Sequence, residues 1–486
     1  MKIQTFLLKS VLKYVPFLFL NKISERNAIK CFNKAYEIEA YKKFLKQEGS
    51  NITKVRSIDV FRQLPISDKA NYINNNNVTD ISINKNPLSF YRSSGYSGRP
   101  TYWSQNASDF KDYVKYKELN LDMVFNISSK KTLIISTFAL SSWITGQQVL
   151  AGLFNIAEKN TNITVFSCGM IVDEPLDLVC KFGEAYEQIV MFFYPLTFKA
   201  FVDKAIQEKI DLRKFNIKIV LGAEGVTYSW VKHYEELLKT KGDNSFRIFS
   251  AFGAADSGIG IAAEQITSLV IKEYCFNDKT LLKELTTSEE MPLHFFQYNP
   301  LNQFLEVVDG RLIMTKLKQN PLVRYDLHDR ATIISPDKVR EVFKNKGIDI
   351  NKVVNERFGE FLNLPFFAVY GRDDGTIILN GANIYINSFK EALSQPEVFK
   401  YHTGKFKVST VIQKDMFQNY LVEIELRQDV KPTLNLETKM RNAVVEFLLK
   451  NDKGYKNAYH APYQREDICK IKFIAFSERS LKHKYN

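Results

Sequence analysis

Two glycines stand three apart, with serines around them and an arginine directly after, in Tyr91-Arg92-Ser93-Ser94-Gly95-Tyr96-Ser97-Gly98-Arg99-Pro100-Thr101. Glycine lets a backbone take positive φ, so successive amide N–H groups can converge on an anion. The hydroxyls of Ser93, Ser94 and Ser97 add rotatable donors. Arg99 supplies a fixed cation whose fork matches phosphate oxygens. Together these residue types suit the holding of a polyphosphate. The spacing is not that of the P-loop, which needs four residues between its glycines and then Lys and Ser or Thr. Taken alone, the stretch reads first as a solvated Gly/Ser turn between strands.

Other phrases carry chemistry less directly. Gly222-Ala223-Glu224-Gly225 follows the apolar run Ile217–Leu221. A turn of small residues admits a flat ring against the backbone, and it is equally a plain strand-to-helix turn. Gly258-Ile259-Gly260-Ile261-Ala262-Ala263 matches the dinucleotide fingerprint, with Asp278 about twenty residues later. That reading is rejected. The fingerprint needs its first glycine directly off a strand, and about seven residues before the strand-like run Ser268–Phe276 are too few for a crossover. Arg324, Asp326, Asp329 and Arg330 form a charged phrase that by itself reads as a surface ion-pair cluster. Gly371 and Gly375 flank Arg372-Asp373-Asp374, which suits a hinge.

The elements that must position these residues alternate regularly. Apolar, β-rich runs at Thr132–Thr137, Ile163–Ser167, Ile189–Tyr194, Ile217–Leu221 and Phe246–Phe249 are separated by helical patterns such as Phe198–Glu208 and Trp230–Thr240. Continuous apolar strands between helices predict an α/β fold with a mainly parallel sheet covered on both faces. Ligands of such sheets gather beyond the carboxyl ends of the strands. From Leu293 to Thr315 the pattern changes to short strands, His294–Gln297, Leu305–Val308 and Arg311–Thr315, with Asp309-Gly310 as a hairpin turn. This predicts a β-subdomain after the parallel sheet. Residues 375–486 alternate helix and strand as a small α+β unit: a helix near Ser388–Leu393, strands near Phe406–Ile412 and Tyr420–Leu426, a helix near Leu436–Leu449, and a strand near Ile471–Phe476. Upstream, residues 25–75 read as mostly helical, with helical spacing from Ala35 to Phe44. Leu64-Pro65-Ile66-Ser67-Asp68-Lys69 reads as a turn and helix start with no assigned chemistry.

Composition bounds the answer. A chain of 486 residues can hold at least two domains, and 45% apolar with 25% charged residues is the balance of a globular protein. The net charge of +13 is spread without a dense basic block interleaved with aromatics, so nucleic acid is excluded as a partner. The five cysteines contain no Cys-x-x-Cys pair, which argues against zinc and thioredoxin-type sites and suits a reducing cytoplasm. The run Val11–Leu20 is broken by Lys13 and Pro16 and is too short to span a bilayer. It reads as a helix packed on its own domain, with at most peripheral membrane contact.

Ser93-Ser94-Gly95-Tyr96-Ser97-Gly98-Arg99-Pro100 resembles the Ser-Ser-Gly-Thr-Thr-Gly-Lys-Pro signature of the adenylate-forming enzymes, the superfamily of acyl-CoA synthetases and nonribosomal adenylation domains. The branch it looks most like is phenylacetate–CoA ligase-like, which includes capsule-biosynthesis-type members. The resemblance runs from about residue 60 to the end, with its phrases in family order. It implies a large adenylation domain over 1–371 and a small mobile cap over 372–486, hinged at about 371–375.

The resemblance also assigns roles. It implies that Ser93, Ser94, Gly95, Ser97, Gly98 and Arg99 hold ATP phosphates. Gly222, Ala223 and Glu224 would border the adenine, with Phe252 and Gly253 of Phe252-Gly253-Ala254-Ala255-Asp256 against it. Asp256 stands where a glutamate places Mg²⁺. In Arg324-Tyr325-Asp326-Leu327-His328-Asp329, Asp329 would accept from both ribose hydroxyls, and His328 replaces a glycine. Arg372 would meet ribose or phosphate, with Asp374 as the pivot. Gly381 would lie along the thiol channel, and Lys482 would bridge the carboxylate and α-phosphate, with Leu481 replacing the usual glycine. The implied reaction is activation of a small carboxylic acid by ATP and Mg²⁺ as an acyl adenylate, then transfer to CoA. Two alternatives stay open. One is adenylyl or acyl transfer to a non-CoA acceptor in surface-polysaccharide or cofactor metabolism. The other is a degenerate member that binds nucleotide without turnover.

Overall fold

The computed structural model describes residues 2–93, 101–140, 144–171, 173–258, 260–373, 376–379, 382–384, 386–460 and 466–474. Its strands, in chain order, are β1 Ser89–Arg92, β2 Tyr102–Gln105, β3 Thr132–Ser136, β4 Ile163–Ser167, β5 Gln188–Phe193, β6 Ile217–Leu221, β7 Ile248–Phe252, β8 Ala262–Ala263 and β9 His294–Tyr298. They continue as β10 Phe304–Val308, β11 Arg311–Lys316, β12 Leu322–Ile334, β13 Phe366–Arg372, β14 Ile377–Leu379, β15 Ala382–Ile384, β16 His402–Ile412, β17 Gln418–Leu426 and β18 Cys469–Ile474.

An 11-stranded sheet in the order β10-β11-β12-β13-β9-β8-β7-β6-β5-β3-β4 forms the body. Strands β4, β3, β5, β6 and β7 pair in parallel, as the five apolar runs predict. Every residue of β3 and of β5 is buried, because helices cover both faces. Alternation assigns the two layers. Ile134, Val190, Phe192 and Val220 face one core, while Leu133, Ile135, Ile189, Met191 and Phe193 face the other, against Phe198, Phe201 and Trp230. The expected β-subdomain is the antiparallel half of this same sheet, joined through β7–β8 and β8–β9. Its β10–β11 turn holds Asp309 at φ 51° and Gly310 at φ 77°, the two positive angles that a tight hairpin of this hand requires.

One element differs in type. The run Ser268–Phe276, read as a strand, lies in the helix Ile266–Asn277. Thr267, Ser268, Leu269, Val270, Ile271 and Lys272 are consecutively buried, so no polar face breaks the pattern and β-branched residues mimic a core strand. The rejection of the dinucleotide reading still holds. Gly258 follows a turn after β7, and the chain returns antiparallel in β8. Asp278 instead caps the helix Lys279–Thr286. The helical reading of Ala35 to Phe44 also divides: one helix ends at Ala35 and the next begins at Glu39.

The helix Ala107–Phe125 crosses the site. Asn106 and Asp109 cap its start reciprocally, and Asn126 ends it in the left-handed region at φ 53°. Near the N-terminus, Pro16 starts the helix Phe17–Ala35. Leu12 and Leu20 pack on Leu119, Leu362 and Leu364. No helix among the described residues is long and apolar enough to cross a membrane. Residues from Ile377 onward bury an apolar cluster of their own around the three-stranded sheet β16-β17-β18.

Candidate active site

A cavity of about 850 Å³ opens at the carboxyl ends of β5, β6 and β7. Gly222, Ala223, Glu224, Phe252, Gly253, Asp256, Asp329 and Arg372 all line it, and Ser93 stands at its edge. Sequence phrases far apart in the chain therefore converge on one space. Residues 94–100, with Ser94, Gly95, Ser97, Gly98 and Arg99, lie outside the described residues, as do Asp374, Gly381 and Lys482.

The residues on either side of 94–100 are firmly held. Strands β1 and β2 pair from Ser89↔Gln105 to Arg92↔Tyr102, and the Ser93 amide donates to the Thr101 carbonyl at 2.9 Å. Trp103, fully buried, meets Tyr325 edge-on at 6.2 Å, and the Ser104 amide donates to Asn320 Oδ1 at 2.7 Å. The hairpin is thus fixed to β12, the strand that carries Asp329.

The Gly222–Gly225 turn is packed as well as small. A Cβ on Gly222 would come within 2.9 Å of the Phe138 ring, and one on Gly225 within 2.8 Å of Leu293. Ala223 sits at φ 73°, a strained conformation for a residue with a Cβ. Phe252 is half-buried at the end of β7, packed on Phe296 and Phe367, with its remaining surface toward the cavity. Of the aromatics after β5, Phe192 lines the cavity, whereas Phe193 points into the opposite core.

Asp329 and Arg372 are direct partners across β12 and β13, so the implied ribose acceptor and its cation share one register. Arg372 donates to the Leu327 carbonyl at 3.1 Å. His328 takes φ 59°, a left-handed backbone conformation that glycine adopts freely. Its ring lies 3.4 Å from Asp68 and 3.5 Å from Asp373. Burial raises the Asp68 carboxyl, but hydrogen bonds from His328 and from backbone amides prevail and hold it below its usual value. Arg324 and Asp326 are buried, which corrects the surface-cluster reading of that phrase. Arg324 is spent on Glu306 at 2.8 Å and on the Arg62 and Leu64 carbonyls.

Asp256, the residue implied for Mg²⁺, has protein partners on both carboxylate oxygens. The Lys69 ammonium lies 3.1 Å from one carboxylate oxygen, and the Tyr325 hydroxyl donates to the other at 2.8 Å. The side chain is buried, and no group of three His, Cys, Asp or Glu suited to a metal occurs among the described residues.

Sequence reasoning missed three cations and a buried triad. Lys69 belongs to the phrase left without chemistry. Ser67 bridges to β12, its amide donating to the Arg324 carbonyl at 3.0 Å, and this sets Asp68 and Lys69 at the cavity. Lys318 donates to the Asp256 carbonyl at 2.8 Å and to Tyr91 Oη at 3.0 Å, and Lys316 donates to the Ser257 carbonyl at 3.2 Å. Burial pushes Lys318 down to about 7 and Lys316 to about 8. Their only sequence signal is a Lys-x-Lys spacing at a strand end, which is indistinguishable from a solvated edge.

Behind the Gly222–Gly225 turn lies the triad Glu264, Lys272 and His294, all buried. His294 Nε2 accepts from the Val226 amide at 3.1 Å, so Nδ1 carries the proton and donates to Glu264 Oε1 at 2.8 Å. Lys272 reaches the same oxygen at 3.4 Å, and Glu264 Oε2 accepts from the Ser250 amide at 2.8 Å. Burial and the Lys272 charge lower His294 and keep it neutral. Glu264 is lowered despite burial, because Lys272 and His294 stabilise its charge.

No family model and no curated protein sequence matches the chain. Solved structures do match. A 2-hydroxyisobutyryl-CoA ligase, in complex with 2-HIB-AMP and CoA in the thioesterification state, is similar with TM-score 0.64 at 15% identity, over 98% of this chain and 91% of that one. The chain has the adenylate-forming fold. The same ligase in an open conformation gives TM-score 0.53 at 16% identity, over 95% and 90% of the two chains. Its post-adenylation state gives 0.54 at 15%, over 96% and 88%. In this fold the cavity of the present chain lies at the carboxyl edge of the parallel strands, where α/β sheets bind ligands.

Proposed function

We propose that this protein activates a carboxylic acid with ATP as an acyl adenylate and passes the acyl group to a thiol, CoA or one like it. The observation that carries the reading is the convergence of Gly222–Glu224, Phe252, Asp329 and Arg372 on one cavity, beside the anchored base of the Ser93 loop. A carboxylate is already ionised at neutral pH and needs no general base to attack phosphorus. What the protein must supply is position and fixed positive charge. Arg372, Lys316 and Lys318 bring cations to the described wall, and Arg99 and Lys482 belong to the same reading. The β12–β13 pair sets the ribose acceptor Asp329, and the packed Gly222 turn sets the base.

In this reading residues 1–371 are the adenylation domain and 372–486 the cap, turning near 371–375 about Asp374 and delivering Lys482, with the thiol passing Gly381. The separate apolar core beyond Ile377 supports the division. So does the cap's contribution of Val408, Ser409 and Thr410 to the cavity wall. The higher similarity to the thioesterification-state ligase than to its other two states supports reading this arrangement as the thiol-receiving one.

The test is ATP–pyrophosphate exchange across a panel of acids, followed by pyrophosphate release with and without CoA. Acid-dependent exchange, with release accelerated by CoA, is expected. Exchange that gains nothing from CoA moves the acceptor to an amine or sugar. A second reading, nucleotide binding without turnover, is favoured by the Lys69 and Tyr325 contacts that engage Asp256. ATP binding by calorimetry with no exchange for any acid would establish it.

A further inference from the structure

Lys117 lines the cavity from the helix Ala107–Phe125, among described side chains that give its charge no anionic partner. Its ammonium lies 4.6 Å above the Phe192 ring and 5.8 Å from the centre of the Tyr113 ring. Val124, Phe138, Val149, Phe192 and Val220 make the same wall apolar. Burial drives its ammonium down to about 7, with no carboxylate among the described residues to offset this. The Tyr113 hydroxyl is buried and makes no hydrogen bond to a described residue. Both side chains are fixed by the helix Ile144–Glu158. A Cβ on Gly152 would come within 2.8 Å of the Tyr113 ring and 3.7 Å of the Lys117 stem.

A protein that only needed an apolar wall here would place leucine or methionine at 117. The aromatic faces attract the ammonium but carry no negative charge to pair with it, and an anionic ligand group would supply one. A neutral acceptor would satisfy the Tyr113 hydroxyl but would leave the ammonium uncompensated. We propose that the acid bound in this cavity carries a second anionic group, remote from the carboxylate to be activated, which pairs with Lys117 and accepts from the Tyr113 hydroxyl. The substrate class is then a dicarboxylic acid, or an acid with a terminal sulfonate or phosphonate. The inference rests on the acid-activating reading above for the fate of the other carboxylate, and on the cavity alone for the anion site.

The experiment pairs short-chain and aromatic dicarboxylic acids, and their ω-sulfo and ω-phosphono analogues, with monoacids of equal length. Two readouts are taken on the full chain: ATP–pyrophosphate exchange, and ligand-induced thermal shift without ATP. Wild-type protein is expected to prefer dianionic acids by at least about tenfold in kcat/KM. Lys117→Met should raise KM for them about 100-fold, leave KM for ATP unchanged, and leave monoacids unchanged or improved. Lys117→Arg should recover part of the preference. The three dianionic series identify the headgroup by rank. Preference for monoacids, or an equal loss for both classes in Lys117→Met, overturns the proposal. A Lys117-dependent thermal shift without exchange upholds the anion site and removes the activation reading. Exchange with monoacids alone does the reverse, and neither signal with any dianion overturns the anion site.

Discussion

Replacing Lys272 by methionine tests whether the buried triad holds the nucleotide side of the cavity in shape. Wild-type Glu264 has Lys272 at 3.4 Å and His294 at 2.8 Å on one oxygen, and the Ser250 amide on the other. Breaking a buried pair by removing one partner costs about 3–5 kcal/mol, because the surviving charge stays desolvated. His294 cannot take over as the cation: burial, the largest cause that lowers it, stays, and its Nε2 already accepts from the Val226 amide. Lys272 is the largest of the causes that hold Glu264 below its usual value against burial. The stability this lends is present above the unfolded carboxyl pKa and is lost as pH falls through the folded one. Lys272→Met should therefore lose about 3 kcal/mol or more at pH 7 and less near pH 4. The assay is urea unfolding followed by tryptophan fluorescence at both pH values, with wild type alongside. Because the triad also holds the Val226 and Ser250 amides, ATP affinity should fall with stability at pH 7. A loss below about 1 kcal/mol at pH 7, or a larger loss near pH 4, would refute the reasoning.

Two further outcomes follow from the same geometry. Lys316 and Lys318 are held down by burial, to about 8 and about 7, so a triphosphate bound beside them, as proposed, would raise both. ATP binding near pH 7.5 should take up protons, measured by calorimetry in buffers of different ionisation enthalpy. Affinity should weaken as pH rises from 7 to 9, and Lys318→Met should show a smaller uptake. Ala223, at φ 73°, bears a Cβ in a conformation that glycine adopts freely. Ala223→Gly should raise stability by roughly 0.5–1 kcal/mol, read as an upward shift in melting temperature.

The parallel half of the sheet was legible because strands buried on both faces are written as unbroken apolar runs, and β3 and β5 are buried at every residue. The hairpin at Asp309-Gly310 was legible because few residue pairs tolerate two positive φ angles. The helix Ile266–Asn277 was not, since burial on all sides erased its period. The aspartate at 329 and the arginine at 372 were found by phrase, but their pairing across two strands belongs to register, which local pattern does not encode.

Residue types and local spacing thus determined the strand-and-helix alternation, the small-residue turns and the polar phrases that cross the cavity. Only the tertiary structure decided which charges meet. It set Lys69 and Tyr325 on Asp256, gathered Glu264, Lys272 and His294 behind the turn, and left Lys117 among aromatic faces. The physical reason is that a charge's partner and its dielectric surroundings depend on distance in space. Residues 69 and 256, or 264 and 294, acquire that distance only when the sheet closes over them.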